Sequence, residues 1–304
     1  MINIDSGYSS IKVFYKNQWK KIPSCISFSN SGGMTFGDSI NEYKFEGDTY
    51  TIGDTSVDEE AFVTTDFKFK YKFEPLIVAH VRDTLHIPSS ELCNITLSLA
   101  LTDWDKKEEL AKRCSEFEIN GNTLKNTVNV IPQGIGAYYD WVHNQNNDNH
   151  PDSAYLIDIG FSTINVIVFS QGKPLRNKSK GFPNHGVSSI IKPFTNHLEK
   201  MYSMPFSEQE SIKIFTTNKF VFNGEVQDKV TDVIASYKSQ FVKRIFSSIL
   251  VQDKKLLATS EAVIIAGGGC YFLEGTAFPP NVFFVEKPYE FSNLRGMVYL
   301  SGDE

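Results

Sequence analysis

The chain has only four cysteines in 304 residues. Cys25, Cys93, Cys114 and Cys270 stand far apart. They form no CxxC pair and no Cys/His cluster at metal-ligand spacing, which argues against a zinc site. Scattered free cysteines suit a reducing compartment. There is no excess of positive charge either: 30 Lys and Arg face 36 Asp and Glu, a net charge of −6. Sequence-independent DNA binding rests on cations that neutralise phosphates, so direct DNA binding is not expected. No uninterrupted apolar run approaches the roughly 20 residues that a membrane helix needs. The longest candidate, residues 155–169, is broken by Asp158, Gly160 and Asn165. The N-terminus enters a strand pattern without a basic leader, so no signal peptide is expected and the location is expected to be cytoplasmic.

A hydrophobic content of 41% is that of a soluble globular protein. The length allows two domains, each with its own core. One segment occurs twice. Ile4-Asp5-Ser6-Gly7-Tyr8-Ser9-Ser10-Ile11-Lys12-Val13 returns about half a chain later as Ile157-Asp158-Ile159-Gly160-Phe161-Ser162-Thr163-Ile164-Asn165-Val166. Each copy reads as an apolar strand ending in an aspartate, a glycine turn, two hydroxyl residues and a second apolar strand. Such a hairpin turn can hold a phosphate. Two of them facing each other would hold one nucleotide between two domains.

The rest of the chain alternates strands and helices, an α/β pattern. Residues 24–73 carry short alternations rich in Gly, Ser, Thr and aromatics and read as a small β-rich insertion. Within it Phe67, Phe69, Tyr71 and Phe73 alternate with Lys68, Lys70 and Lys72, which predicts a half-buried strand with a solvated lysine face. Ile77, Val81 and Leu85 predict a helix over 75–86, ended by Pro88. Ile95, Leu97, Leu99 and Leu101 alternate with polar or small residues and predict a strand. Asp105 can cap a helix running to about Cys114. A short strand at 128–132 and a helix at 134–142 follow. The polar stretch 144–152 reads as the boundary between halves. After the second hairpin come a loop at 181–186 and a helix from Val187. An amphipathic helix at 228–250 carries Val230, Ile234, Tyr237, Phe241, Ile245 and Ile249. A buried strand at 262–266 runs into Gly267-Gly268-Gly269. A last strand at 282–286 precedes a C-terminal helix from near Ser292.

Asp5 and Asp158 each end an apolar strand. A carboxylate there can order the hydration shell of Mg²⁺, which keeps several waters and takes a few carboxylates plus substrate phosphates. A single such aspartate serves equally well as a turn residue; its recurrence in the same context favours the metal reading. Gly7, Ser9 and Ser10, with Gly160, Ser162 and Thr163, would offer backbone N–H and hydroxyl donors to phosphate oxygens. Lys12 adds a point charge, and its counterpart is Asn165. Gln133, between a strand end and a helix start, can orient a water for attack on a γ-phosphate. The triple glycine lets a flat ring or a ribose lie against the backbone. His185 and Gly186 precede a helix whose N-terminus can face an anion, although His185 also reads as a plain loop residue.

In this order the pieces resemble the actin-like ATPase superfamily, and within it the bacterial ParM/StbA plasmid-segregation actins. The resemblance spans essentially the whole chain. It rests on IDSGYSSIKV at 4–13, VIPQGIGAYYD at 130–140, YLIDIGFSTINVIVF at 155–169, GFPNHGVSS at 181–189, VIIAGGG at 263–269 and NLRGMVYLSG at 293–302. It implies an α/β, actin-like fold of two RNase-H-like domains, each with a smaller subdomain, and a nucleotide cleft between them. Domain I would cover 1–148, with the β-rich insertion at about 24–90 and the C-terminal helix, about 292–304, packing back on it. Domain II would cover 149–304, with a helical insertion at about 190–250. The resemblance assigns Asp5, Asp158 and Gln133 to catalysis. Asp5 and Asp158 would hold Mg²⁺, through water. Gly7, Ser9, Ser10, Lys12, Gly160, Ser162 and Thr163 would bind the phosphates, and Gly267, Gly268 and Gly269 the adenosine. It implies ATP or GTP with Mg²⁺, polymerisation into filaments, and a DNA-binding adaptor of the ParR type as partner. Gln133 falls where plasmid actins often carry Glu and eukaryotic actin carries Gln. Sugar kinases and heat-shock chaperones share the superfamily, but no kinase signature and no peptide-binding domain is evident. Another bacterial or phage actin-like filament protein is the nearest alternative.

Overall fold

The structure, a computed structural model, describes residues 1–29, 42–53, 62–63, 67–145 and 150–302. It divides into two compact units, Met1–Asp140 with Asn293–Glu304, and Trp141–Ser292. Parts of the expected β-rich insertion (30–41, 54–61 and 64–66) and of the polar boundary stretch (146–149) lie outside the described residues.

The first unit begins with β1 (Ile2–Ser6), β2 (Ser10–Tyr15), β3 (Gln18–Pro23), β4 (Cys25–Phe28), β5 (Tyr43–Phe45), β6 (Asp48–Ile52) and β7 (Phe62–Val63). It continues through α1 (Phe67–Thr84), β8 (Cys93–Leu99), α2 (Lys107–Ser115), β9 (Glu116–Ile119), β10 (Asn122–Pro132) and the first part of α3 (Ile135–Asn144), which passes into the second unit at Trp141. Strands order β3-β2-β1-β8-β10-β9 in the main sheet and β5-β6-β4-β7 in a small one. β1, β8 and β10 run parallel to their neighbours in that set, whereas β2, β3 and β9 pair antiparallel. β8 is buried on both faces, as parallel central strands are. The polar half of its alternation, Thr96 and Ser98, is therefore interior as well.

The second unit comprises β11 (Ser153–Ile159), β12 (Thr163–Ser170), β13 (Lys173–Pro174), β14 (Lys180–Pro183), α4 (Ser188–Tyr202), α5 (Glu208–Thr217), β15 (Val221–Phe222) and β16 (Glu225–Val226). α6 (Asp228–Arg244), α7 (Lys254–Thr259), β17 (Ala262–Ala266) and β18 (Val282–Phe284) follow, and the chain then enters α8 (Ser292–Ser301). The sheet orders β13-β12-β11-β17-β18, with β14 also on β12. The path β14-β12-β11-β17-β18 repeats the path β3-β2-β1-β8-β10 strand for strand. The duplication read from one hairpin thus extends over five strands. Even the register recurs: Asp5 faces Lys12 as Asp158 faces Asn165, and Ser10 faces Pro23 as Thr163 faces Pro183.

Four local readings are corrected. Residues 67–73 are not a strand but the first two turns of α1. A run of alternating aromatics also contains every i, i+4 pair, so period 2 and period 3.6 cannot be told apart over seven residues. Phe69 and Phe73 meet at 4.3 Å between ring centroids, and Lys70 is buried rather than solvated. The strand ending at Leu101 stops at Leu99, and Leu101–Lys106 forms a 3₁₀ turn before α2, with no side-chain cap from Asp105. The strand at 128–132 is the end of an eleven-residue β10. It starts at a hairpin whose Asn120 and Gly121 both have positive φ, 51° and 73°, the type I′ signature of an Asn-Gly turn. The expected loop at 181–186 is in part the short strand β14, where Gly181 and Pro183 disguise a strand pairing on one side.

Residues 293–302 belong to the first unit. α8 meets α3 through glycines: a Cβ on Gly296 would lie 1.7 Å from the Gly136 carbonyl oxygen, and one on Gly136 would lie 2.1 Å from the Asn293 carbonyl oxygen. Arg295 grips the fully buried Asp140 with two parallel hydrogen bonds, Nε to Oδ1 at 2.8 Å and Nη2 to Oδ2 at 2.7 Å. A Gly296→Ala substitution should therefore destabilise the protein by about 1–3 kcal/mol, the usual range for overpacking. The measurement is the urea midpoint; a midpoint equal to wild type would show that the two helices do not meet at these glycines.

Candidate nucleotide site

In the first unit the site is built around one carboxylate. Asp5, at the end of β1, is buried. Its Oδ2 accepts from Lys12 Nζ at 3.2 Å. Its Oδ1 accepts from Ser98 Oγ at 2.6 Å and from Asn293 Nδ2 at 2.9 Å. Burial by itself pushes the Asp5 carboxyl up, but the Lys12 charge and the hydrogen bonds from Ser98 and Asn293 outweigh it and hold the group below its ordinary 3.8. Gln133 joins the same cluster: its Nε2 donates to Ser98 Oγ at 3.4 Å, while its backbone N–H donates to Leu99 O at 2.8 Å. Asn293 Oδ1 in turn accepts from the Gly134 N–H at 3.0 Å. Lys12 thus faces its own hairpin's aspartate, with Nζ 3.0 Å from where a Cβ on Gly7 would stand.

The turn after Asp5 is closed from within. Gly7 N–H donates to Asp5 O at 3.1 Å and to Ser10 O at 3.2 Å. The segment after β3 locks it from outside, where Ser24 N–H donates to Ser9 O at 3.3 Å and Ser24 Oγ to Gly7 O at 2.6 Å. Ser10 is buried and Ser9 half-buried.

The second unit repeats this construction with different chemistry. Gly160 N–H donates to Thr163 O at 2.9 Å, as Gly7 does to Ser10. Gly186 N–H donates to Ser162 O and Val187 N–H to Gly160 O, both at 3.1 Å, in the places that the Ser24 amide and hydroxyl occupy in the first unit. Ser188 N–H adds a bond to Phe161 O at 2.7 Å. A Cβ on Gly186 would lie 2.5 Å from the carbonyl oxygens of Gly160 and Phe161, so only glycine fits. Asp158 is buried, with Oδ2 3.4 Å from Asn165 Nδ2. Gly267 lies against it: a Cβ there would be 2.5 Å from Asp158 Oδ1, and its φ of +83° also favours glycine. Gly269 packs on Ile159, and Gly268 opens the 3₁₀ turn Gly268–Phe272. His185 Nδ1 lies 2.7 Å from Pro183 O, so its ring serves its own loop.

The predicted residues therefore fall into two groups. Asp5, Gly7, Ser9, Ser10, Lys12 and Gln133 gather in the first unit; Asp158, Gly160, Ser162, Thr163 and Gly267–Gly269 gather in the second. Nothing in the sequence singles out Ser98, Asn293 or Ser24, which complete the first of these groups. Ser98 stood on the polar side of a recognised strand, but the aspartate it serves is distant in sequence. Among the described residues no three His, Cys, Asp or Glu side chains are placed to hold a metal between them. A Mg²⁺ ion that keeps its waters and leans on phosphates does not need such a cage. The register partners differ in kind: Asp5 faces Lys12, whose ammonium pairs with it, while Asp158 faces the neutral Asn165.

A family model described as the N-terminal domain of actin-like proteins matches residues 3–136. A second, the C-terminal part of the archaeal MreB-like actin homologue, matches residues 156–276. Together they run over most of the chain, which belongs to the actin-like superfamily. No curated protein matches the sequence. Among solved structures, a subunit of a 15-stranded ParM filament from Clostridium botulinum is similar with a TM-score of 0.78 at 20% identity, covering 100% of this chain and 99% of that one. An archaeal actin homolog in complex with ADP gives 0.76 at 17% identity, with both chains covered completely. Bacillus thuringiensis ParM with ATP gives 0.67 at 14% identity, over 100% and 99% of the two chains. The fold is actin-like.

The lowered pKa of Asp5 has a sign that can be checked. A carboxyl whose folded-state pKa lies below its unfolded value of 3.8 contributes stability above that value and loses it as pH falls through the lowered one. Asp5→Asn should thus be less stable than wild type near neutrality, with the gap closing as acid carries both proteins below pH 3.8. Urea denaturation across the acid range measures it; a gap that does not change with pH would show that Asp5 is not held ionised.

Proposed function

We propose that this protein is a nucleoside triphosphatase that polymerises into dynamic filaments on binding Mg²⁺-ATP or Mg²⁺-GTP, and that the filaments segregate plasmid DNA through a DNA-binding adaptor of the ParR type. The observation that carries this reading is the duplicated hairpin with an aspartate at the same register in each copy. In a superfamily whose fold hosts several activities, that pair is the feature tied to phosphate chemistry. The ATP and ADP in the two nucleotide-bound relatives support the ligand, and the ParM filament supports the assembly. The net charge of −6 supports leaving DNA contact to the adaptor. Among the described residues no helix is long and apolar enough to cross a membrane.

The residues divide the work as follows. The turns at Gly7–Ser10 and Gly160–Thr163 receive phosphate oxygens with hydroxyl and backbone donors. Mg²⁺, when bound, neutralises phosphate charge; Asp158 and Asp5 are the carboxylates that would order its waters. Asp158, whose register partner is neutral, holds the attacking water, and Gln133 orients it. Asp5, compensated by Lys12, fixes the first turn and the Gln133 side chain through Ser98. The Gly267–Gly269 turn, drawn against Asp158 and Ile159 by its first and last glycines and open at Gly268, is the place proposed for the nucleoside. Binding of the triphosphate favours the filament-competent shape, and hydrolysis releases it.

Two outcomes are expected. Purified protein should scatter light, pellet and show filaments by electron microscopy with Mg²⁺-ATP or a non-hydrolysable analogue; absence of polymer over a wide concentration range, with both ATP and GTP, would refute assembly. Asp158→Ala should abolish phosphate release and Gln133→Ala should slow it, by about 10²-fold for a group acting mainly on the transition state. Both variants should still polymerise, and their filaments should last longer. Wild-type phosphate release by Asp158→Ala would remove that carboxylate from the mechanism.

A further inference from the structure

α1 reaches the first phosphate turn with two buried charged side chains that have no part in the scheme above. Lys70 is 6% exposed and Glu74 is 0% exposed. Lys70 Nζ donates to Ser6 O at 2.8 Å and to Ser98 O at 3.2 Å. Glu74 Oε2 accepts from Ser6 Oγ at 3.1 Å and stands 4.0 Å from Lys70 Nζ. One helical turn therefore holds the carbonyl and the hydroxyl of the residue just before Gly7. It also holds the carbonyl of Ser98, whose own hydroxyl binds Asp5 and receives Gln133.

This arrangement is costly for packing alone. Two charges taken out of water are seldom repaid by their mutual attraction, and well-packed apolar residues of similar volume often do as well or better. The cost is visible here. Glu74 Oε1 is buried without a hydrogen-bond partner, and burial pushes the Glu74 carboxyl up against the opposing pull of Lys70 and Ser6. A helix that needed only to pack would carry Met and Leu at these positions. Moreover, the pair does not bond at random. Lys70 donates to two backbone carbonyls flanking the Asp5 cluster, and its ammonium faces the Glu74 carboxylate at 4.0 Å.

We propose that Lys70 and Glu74 are positioning residues for nucleotide binding: a buried clamp on α1 that sets the Ser6–Gly7 bend and the Ser98 end of β8 in the shape that receives phosphate. The proposal rests on the nucleotide reading above and adds to it a part that touches no ligand. Lys70 acts through Ser6 O and Ser98 O. Glu74 acts through Ser6 Oγ and by balancing the ammonium.

The test compares wild type with Lys70→Met/Glu74→Leu, Glu74→Gln and Ser6→Ala. Three quantities are read: melting temperature without nucleotide, affinity for a fluorescent ATP analogue, and hydrogen exchange of the Gly7–Ser10 amides in nucleotide-free protein. The double variant replaces the pair by apolar side chains of similar volume but takes partners from Ser6 and Ser98, so it should fold with a melting temperature lowered by only about 2–4 °C. Its affinity should fall about tenfold or more, the scale of hydrogen bonds to charged groups, and the turn amides should exchange faster. Glu74→Gln keeps an acceptor for Ser6 and should retain most of the affinity. Ser6→Ala, which leaves the buried pair in place and so guards against a double variant that fails to fold, should weaken binding and speed exchange in the same direction. Wild-type affinity and wild-type exchange in the double variant, or in Ser6→Ala if the double variant does not fold, would overturn the clamp. Wild-type protein that binds neither ATP nor GTP would overturn the nucleotide reading instead; exchange of the turn amides then decides separately whether the clamp holds the turn.

Discussion

A carboxylate buried at the end of a central strand stays ionised only when donors surround it, because a buried charge without them takes up a proton or costs the fold about 3–5 kcal/mol. Much of the first unit can be understood as the answer to that requirement at Asp5. The donors come from three different elements: Lys12 from β2, Ser98 from β8 and Asn293 from α8. Each is then fixed by something else. Ser98 also takes the Gln133 amide, and its carbonyl takes Lys70. Asn293 also takes the Gly134 N–H, which pins the start of α3. The hairpin, the central strand, the glutamine and the C-terminal helix are thus held in one hydrogen-bonded set, and the two groups proposed for chemistry in this unit, Asp5 and Gln133, share one serine.

The duplicated unit shows which part of that design is geometry and which is chemistry. Strand order, register, the glycine bond across the turn and the closure from the third strand recur in both copies. The side chains do not. Lys12 becomes Asn165, and the hydroxyl and amide of Ser24 become the backbone amides of Val187 and Gly186. The shared scaffold therefore carries unequal charge in its two copies. Asp5 has the Lys12 ammonium across the hairpin, whereas Asp158 faces the neutral Asn165 in register.

The sequence was legible where the signal was local. The hairpins, the strand before the triple glycine and the helices expected at 134–142 and 228–250 follow from periodicity, glycine and proline, although the second is α-helical only to Arg244 and continues as a π turn over Ile245–Ile249. Residues 67–73 were misread because seven alternating residues satisfy both periods, and the deciding fact, that Lys70 is buried, is tertiary. β14 hid behind Gly181 and Pro183 because a strand that pairs on one side tolerates both. The partners of Asp5 were not legible at all. Ser98 and Asn293 are 93 and 288 residues from it in sequence, and no spacing rule connects a strand aspartate to an asparagine near the other end of the chain.

Glycine explains why such a distant asparagine can reach its place. Asn293 must approach Asp5 and Gly134 together, which requires the backbone of α8 to come closer to α3 than any side chain would permit. Gly136 and Gly296 remove the obstructing atoms on both helices. The bidentate Arg295–Asp140 pair then fixes the rotation of α8 about its own axis, since Arg295 lies beside Gly296 in sequence and Asp140 one helical turn beyond Gly136. The stretches 130–140 and 293–302 therefore work as one device. Their glycines set the distance, their ion pair sets the angle, and the product is a single amide held against the Asp5 carboxylate.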